Sequence, residues 1–358
     1  MKAGWKEKSI GEILQLEYGK PLDERDRTPN GRFPVYGANG EKDRTDKFYY
    51  GKPSIIVGRK GSAGEINLTE NKFWPLDVTY FVTFNDQQYD LQFLYYLLST
   101  LELPKLAKGV KPGINRNEVY SQITKVPPLS EQKRIVGILD EAFDGIATAK
   151  ANAEKNLQNA RALFESHRHS VFQKKNGEWI KTTIDRISSN LDSRRIPITK
   201  SKRKSGKYPY YGASGIVDYV SEYIFDEDTL LVSEDGANLL ARTTPIAFSV
   251  SGKYWVNNHA HILKFENMTT QKFVENYLES IKLDDYITGA AQPKLNQSAL
   301  NSIPIPIPKS VTEQAKIVES IEKLAVETQR LESIYQKKLD ALDELKKSLL
   351  NLAFSGEL

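Results

Sequence analysis

The residues of this chain best suited to chemistry are a Gly-rich basic loop and a pair of nearby histidines. Gly58-Arg59-Lys60-Gly61-Ser62-Ala63-Gly64 has the composition of a phosphate cradle, where backbone N–H groups and a cation surround an anion. A matching segment later in the chain, Ser233-Glu234-Asp235-Gly236-Ala237-Asn238, carries acids where this one carries Arg59-Lys60, which argues against a nucleotide loop. His259 and His261 could ligate a metal, but the sequence shows no Asp/Glu/His cluster beside them, so structural histidines and no metal site are expected. There is no Gly-x-Gly-x-x-Gly, Gly-x-x-x-x-Gly-Lys-Ser/Thr or His-Glu-x-x-His. Val126-Pro127-Pro128-Leu129 lacks the polar and aromatic ends of an amino-methyltransferase motif. With no Cys, thiol nucleophiles and disulfides are excluded. No catalytic set is expected.

Binding chemistry is better represented. The first half carries Lys20, Arg25, Arg27, Arg59, Lys60, Ser62, Lys111 and Arg116, mostly in loop contexts with Gly, Asn or Pro. The second half carries Arg194, Arg195, Lys202, Arg203, Lys204, Asn238, Arg242 and Lys294. Net charge is only +4, so a nucleic-acid surface must come from segregated charge rather than from the total. Lys and Arg on loops supply phosphate contacts, and interleaved polar residues can read base edges. These sixteen residues are the DNA-binding candidates. The change from Arg59-Lys60 to Glu234-Asp235 is what two copies of one scaffold would show if each reads a different sequence.

The elements that must position them are written twice. Ser130-Glu131-Gln132-Lys133-Arg134-Ile135-Val136 returns as Thr312-Glu313-Gln314-Ala315-Lys316-Ile317-Val318, 182 positions later. Phe33-Pro34-Val35-Tyr36-Gly37-Ala38-Asn39-Gly40 returns as Tyr208-Pro209-Tyr210-Tyr211-Gly212-Ala213-Ser214-Gly215, 175 positions later. A period this long implies two copies of a domain-plus-helix unit, not a solenoid. Four segments follow: α+β globular regions at 1–128 and 176–310, and helical regions at 129–175 and 311–358. Proline-stiffened Val126-Pro127-Pro128 and Pro304-Ile305-Pro306-Ile307-Pro308 precede the helices, with Ser130 and Thr312 expected as N-caps. Shorter helices are expected near Asp90–Leu101 and Gln271–Leu283, and from Asn115 (with Glu118 as a capping-box partner) and Asn296.

Both long helices carry a heptad-like seam: Ile135, Leu139, Ile146, Leu157 and Phe164 in the first, and Ile317, Ile321, Leu324, Leu331, Leu339 and Leu342 in the second. They share one irregularity, Ala149-Ala153-Leu157 matching Leu331-Tyr335-Leu339. The shared hitch predicts that the helices pack on each other as a coiled coil.

These motifs, taken together, resemble the specificity (S) subunit of type I restriction–modification systems. The resemblance rests on Pro127-Pro128-Leu129-Ser130-Glu131-Gln132 with Ile135-Val136, and on Ala162-Leu163-Phe164-Glu165-Ser166 with Val171-Phe172. Trp179 and the segment Ala353-Phe354-Ser355-Gly356-Glu357-Leu358 complete it. It implies two target recognition domains alternating with two helices in an antiparallel coiled coil. Each domain would read one half of a bipartite site on double-stranded DNA, without catalysis by this chain. The helices would dock two modification subunits that hold S-adenosylmethionine and methylate adenine. Restriction subunits using ATP and Mg would join them. An alternative is a DNA-binding scaffold acting without methyltransferase partners. No apolar stretch is long enough for a membrane span, so a cytoplasmic protein is expected.

Overall fold

A computed structural model describes residues 4–173, 178–289 and 291–358. It divides into two compact units, Met1–Ala153 with Lys337–Leu358, and Glu154–Gln336. Both are α+β.

In unit 1 the order is β1 (Lys6–Ser9), α1 (Ile10–Ile13), β2 (Leu14–Tyr18), β3 (Phe33–Gly37), β4 (Gly40–Thr45), β5 (Ser54–Gly58), β6 (Ile66–Thr69), β7 (Trp74–Pro75) and β8 (Thr79–Phe84). Then come α2 (Leu91–Thr100), α3 (Arg116–Tyr120), β9 (Ile123–Val126) and the start of α4 (Leu129–Gln173). Three sheets form, β2-β8-β5-β6, β4-β3-β7 and β1-β9. The central strand β5 reads as an unbroken buried run because it is covered on both faces. Ile55 and Val57 join Phe93, Leu94 and Leu97 of α2, while Ile56 on the other face clusters with Phe81 of the neighbouring β8, Tyr36 of the smaller sheet and Phe73 just before β7.

Unit 2 repeats this plan with β10 (Trp179–Thr183), α5 (Ile184–Ile187), β11 (Ser188–Asn190), β12 (Ser205–Gly212), β13 (Gly215–Val220), β14 (Phe225–Asp226) and β15 (Thr229–Ser233). It continues with α6 (Asn238–Ala241), β16 (Ala247–Val250), β17 (Lys253–Val256), β18 (Ala260–Phe265), α7 (Met268–Ser280), α8 (Gln297–Ser302), β19 (Pro304–Pro308) and α9 (Val311–Ser355). Its sheets, β11-β18-β15-β16, β13-β12-β17-β14 and β10-β19, follow the order of unit 1. The repeat extends to register. The parallel pair Val35–Trp74 and Tyr36–Pro75 reappears as Tyr210–Trp255 and Tyr211–Val256. Leu230 and Val232 face the helix side and Leu231 the other, as Ile55, Val57 and Ile56 do.

The prolines and the Ser/Thr-Glu-Gln motif work differently from expectation. The long helices begin at Leu129 and Val311, so Ser130 and Thr312 lie inside the first turn and are not caps. The first-turn amides of Gln132 and Gln314 instead reach the carbonyls of Pro128 and Ser310. The conserved work within the repeat belongs to the glutamines, which are 1% and 4% exposed. Gln132 donates to Pro127 O and Gln88 O at 3.0 Å each and accepts from Asp90 N at 2.9 Å. Gln314 donates to Pro308 O and accepts from Thr270 Oγ1, both at 2.8 Å. Each glutamine ties a long helix to the N-terminal end of α2 or α7, whose caps Asp90 and Asn267 bond Phe93 N and Thr270 N. Asn267 starts α7 three residues earlier than the sequence pattern suggested. Gln132→Leu strands the buried Pro127 carbonyl, while Gln88 O and Asp90 N are more accessible to solvent. A loss of about 1–3 kcal/mol is expected, measured as a lowered urea midpoint for a probe in unit 1.

The expected antiparallel pairing of α4 with α9 is present within each unit. In unit 1, Lys346 lies 4.8 Å from the Phe143 ring and Lys150 pairs with Asp343. In unit 2, Arg161 bonds Glu332 at 2.5 Å and His167 meets Ser320 at 3.3 Å. Ile135, Leu139, Ile146 and Ile321 are buried, whereas Leu157, Phe164, Ile317, Leu324, Leu331, Leu339 and Leu342 are half-buried. The seam ends serve the globular cores too: Ile135 and Leu139 join the unit 1 core with Ala353, and Ile321 joins that of unit 2. The sequence boundaries at 128/129 and 310/311 coincide with the helix starts, yet each helix is divided between units at 153/154 and 336/337. Those divisions fall at the shared hitch around Ala153 and Tyr335. Among the described residues, no helix is long and apolar enough to cross a membrane.

Candidate nucleic-acid interface

In unit 1 a capping residue fixes Arg116. The Asn115 side chain accepts from Asn117 N at 3.0 Å, which makes Arg116 the first residue of α3. Glu118 does not complete a capping box; it takes Lys108 Nζ at 2.6 Å. The loop after β5 is sewn to the segment before α3. Ile114 N donates to Arg59 O at 3.0 Å, Gly61 N to Pro112 O at 2.9 Å, and Lys60 bridges Gly113. Within this loop the amides of Gly58, Arg59, Lys60, Gly61, Ala63 and Gly64 all donate to protein carbonyls, which leaves too few of its N–H groups to cradle a phosphate. A Cβ on Gly58 would stand 2.1 Å from Ser62 O, which explains the glycine without any ligand.

Side chains do what the backbone does not. Arg59 and Arg116 converge on the ring of Tyr18, at the end of β2, at 5.3 Å and 4.9 Å from its centroid. Arg59 is anchored by Nε and Nη2 to Asp77 O at 3.0 Å and 2.6 Å, and Arg116 by Nη1 to Leu16 O at 3.3 Å. Beneath them Tyr80 sits 5.1 Å from Tyr18 and donates to Ile114 O at 3.2 Å. Burial and the neighbouring Tyr18 push the Tyr80 hydroxyl up to about 12, so it remains a donor. Two guanidinium charges on one ring lie within about 10 Å of each other. They repel by roughly 0.4–2 kcal/mol, depending on local screening. Among the described residues Arg59, Arg116, Lys20, Lys60 and Lys111 form no ion pair. Lys20 lies 5.1 Å from the Tyr49 ring instead. Arg25 and Arg27 stand apart, paired with Asp23 at 3.2 Å and Asp43 at 3.8 Å.

Unit 2 keeps the stitching and changes the chemistry. Leu295 N donates to Glu234 O at 2.8 Å, Gly236 N to Pro293 O at 3.0 Å, and Asp235 bridges Lys294. His261 stands where Tyr80 stands, its ring nitrogens 2.5 Å from Asp192 and 2.8 Å from Leu295 O. Glu234 takes Arg195 at 2.6 Å and Lys294 at 3.2 Å, and His259 meets Asp235 at 2.9 Å. The expectation that no acidic cluster accompanies the histidines is therefore overturned. The acids come from strand ends 24 to 69 residues away, a distance that local spacing does not reveal. Asp192, Glu234 and His261 bring ligand atoms within 4.8 Å of one another. Arg195 and Lys294 already occupy the carboxylate of Glu234, so the arrangement is an internal ion-pair network. Burial would raise both carboxyls, but His261 and Arg195 outweigh it and hold Asp192 and Glu234 below their ordinary values.

The remaining candidates of unit 2 are dispersed. Arg194 and Lys264 share Glu227 at 2.5 Å each. Arg203 bonds Asp218 at 3.2 Å and lies 4.4 Å from the Tyr210 ring. Lys202 and Lys204 are exposed before β12. Asn238 bonds both backbone groups of Thr244 and so holds its own loop. Arg242, with left-handed backbone (φ +50°), closes the end of α7 through Leu278 O and Ile281 O beside a cavity of about 850 Å³. Tyr18 was the residue missed from sequence; an aromatic beside Gly19-Lys20 at a strand end was its only signal.

The description of the type I restriction modification DNA specificity domain fits this chain twice, over residues 2–158 and 171–340. The chain belongs to that family. A protein named as a type I restriction enzyme specificity subunit in Haemophilus influenzae is 33% identical over 187 residues, about half (48%) of each chain. One named as a type I specificity subunit in Mycoplasma genitalium is 24% identical over 98% of this chain and 94% of its own. A solved structure concerned with complex assembly and conformational transition of the type I R-M system shares the fold, with a TM-score of 0.78 at 14% identity. That match covers 100% of this specificity-family chain and 99% of the other. The two halves of the family description fall on the two structural units.

Proposed function

We propose that this chain is the DNA-sequence-specificity subunit of a type I restriction–modification complex. Unit 1 reads one half of a bipartite duplex site and unit 2 the other, while α4 and α9 set the gap and dock two modification subunits. The observation that carries this reading is a scaffold repeated to the level of strand register whose equivalent corners differ in chemistry: Tyr18, Arg59 and Arg116 in one, Asp192, Glu234 and His261 in the other. Phosphate contacts position a protein on DNA and side chains at base edges specify sequence. Two corners of different chemistry, one with unpaired arginines and one with an internal ion-pair network, suit two different half-sites. S-adenosylmethionine belongs to the modification subunits, and ATP and Mg to restriction subunits; this chain contributes position and selectivity.

The test is methylation by the chain with and without its cognate modification subunit. The chain alone should transfer no methyl group. Together they should methylate adenine within one bipartite motif, mapped by sequencing of modified DNA. Methyl transfer by the isolated chain, or methylation without a defined motif in the complex, would sink the proposal.

A further inference from the structure

The geometry points to Tyr18, Arg59 and Arg116 as a built-in site for one backbone phosphate of the DNA, present in unit 1 and closed off in unit 2. This inference rests on the reading of the chain as a DNA-specificity subunit and adds which group on the DNA this corner grips. Arg59 carries five N–H donors, of which Nε–H and one on Nη2 go to Asp77 O. Three remain on the outer edge of the fork, facing away from that anchor. Arg116 spends one donor on Leu16 O and keeps four. Both guanidinium groups lie over one ring and are tied to backbone carbonyls, which removes much of the rotamer freedom that binding would otherwise have to restrict.

Charge decides the ligand class. A guanine edge offers two acceptors but no charge, and would leave the two guanidinium groups repelling each other. A phosphodiester brings a full negative charge and two unesterified oxygens, one for each arginine. Unit 2 supports this from the opposite direction. At the position matching Arg59, Glu234 supplies a carboxylate held by Arg195 and Lys294. Its own carboxylate has taken the part that an external anion plays in unit 1.

The experiment measures binding of the full chain, complexed with its modification subunit, to a duplex bearing its motif and to a scrambled duplex, across salt concentrations. Arg59→Gln with Arg116→Gln should weaken both duplexes by the same factor, roughly tenfold at 0.1 M salt. The slope of log K against log salt should become shallower by about 0.9. Arg116→Gln alone, which costs only one long hydrogen bond in the fold, should move the slope in the same direction. Arg59→Lys with Arg116→Lys should keep the wild-type slope. Lys272→Gln, a loss of one charge at a position paired with Glu275 on α7 and outside both corners, should leave the slope as it was. An unchanged slope in both glutamine variants overturns the site, and so does a loss confined to the motif duplex, which would mark a base contact. A slope change in Lys272→Gln equal to that in Arg116→Gln overturns it as well, since total charge would then explain the effect. The wild-type preference for motif over scrambled duplex reports separately on the DNA-specificity reading.

Discussion

Replacing residues 1–128 with the matching segment of a family member of different specificity should rewrite one half of the methylated motif and leave the other half unaltered. The expected change is complete, not graded, because every corner residue of unit 1 lies inside that segment while Asp192, Glu234 and His261 lie outside it. The join follows β9 and precedes α4, between Val126 and Leu129, where little of either core is cut. Success requires the incoming domain to cover Ile135, Leu139 and Ala353, which stay behind as part of the unit 1 core. Motif mapping on host DNA is the measurement. A hybrid that stays folded yet alters both half-sites would show that the units do not read independently.

Deleting residues 337–358 should unfold unit 1 while sparing unit 2. The deleted stretch supplies Ala353, fully buried, and Phe354, whose ring lies 5.1 Å from that of Phe93 at the centre of the core. It also supplies Leu349 and Leu350, and the carbonyl of Leu358 that accepts from Arg134 at 2.8 Å. Phe354 is half-buried, so its loss alone falls below the about 3–5 kcal/mol of a fully buried Phe, but Ala353, Leu349 and Leu350 go with it, against a typical domain stability of about 5–15 kcal/mol. Hydrogen exchange should show lost protection at β5 and β8, with β15 and β18 protected as before. Intact protection of β5 would mean that the final helix turns only decorate unit 1.

The repeat, the α+β class and the two long helices were legible because they are written in local patterns: prolines, heptads and matched blocks in the same order. That the two helices pair could be read from a shared irregularity between two seams, while their antiparallel direction came from the resemblance to the S subunit family. The segment boundaries met the helix starts, but the N-caps were placed two residues late because Ser130 and Thr312 look like caps, while Pro128 and Ser310 supply the first-turn acceptors. The role of Gln132 was hidden, since its three partners sit at Gln88, Asp90 and Pro127 and only the fold brings them together. The candidate site was partly legible. Arg59 and Arg116 could be named as loop cations, but their meeting on Tyr18 joins positions 41 and 98 residues away from it. For unit 2, a residue-type census cannot tell a free arginine from one held by Glu227, Asp218 or Glu234.

The interruption of unit 1 imposes an order on the birth of the protein. Glu154–Gln336 is one unbroken stretch, so the later-encoded unit has all its residues as soon as that stretch leaves the ribosome. The first unit has its strands and α2 earlier but lacks Ala353 and Phe354 until after the second unit has been made. At about 5–20 residues per second the intervening stretch takes roughly 10–40 s to make. Throughout that interval Phe93 and Leu139 lie beneath an uncovered apolar face, a natural target for a chaperone that holds nascent chains. Of the two units, the one begun earlier is thus the one completed later.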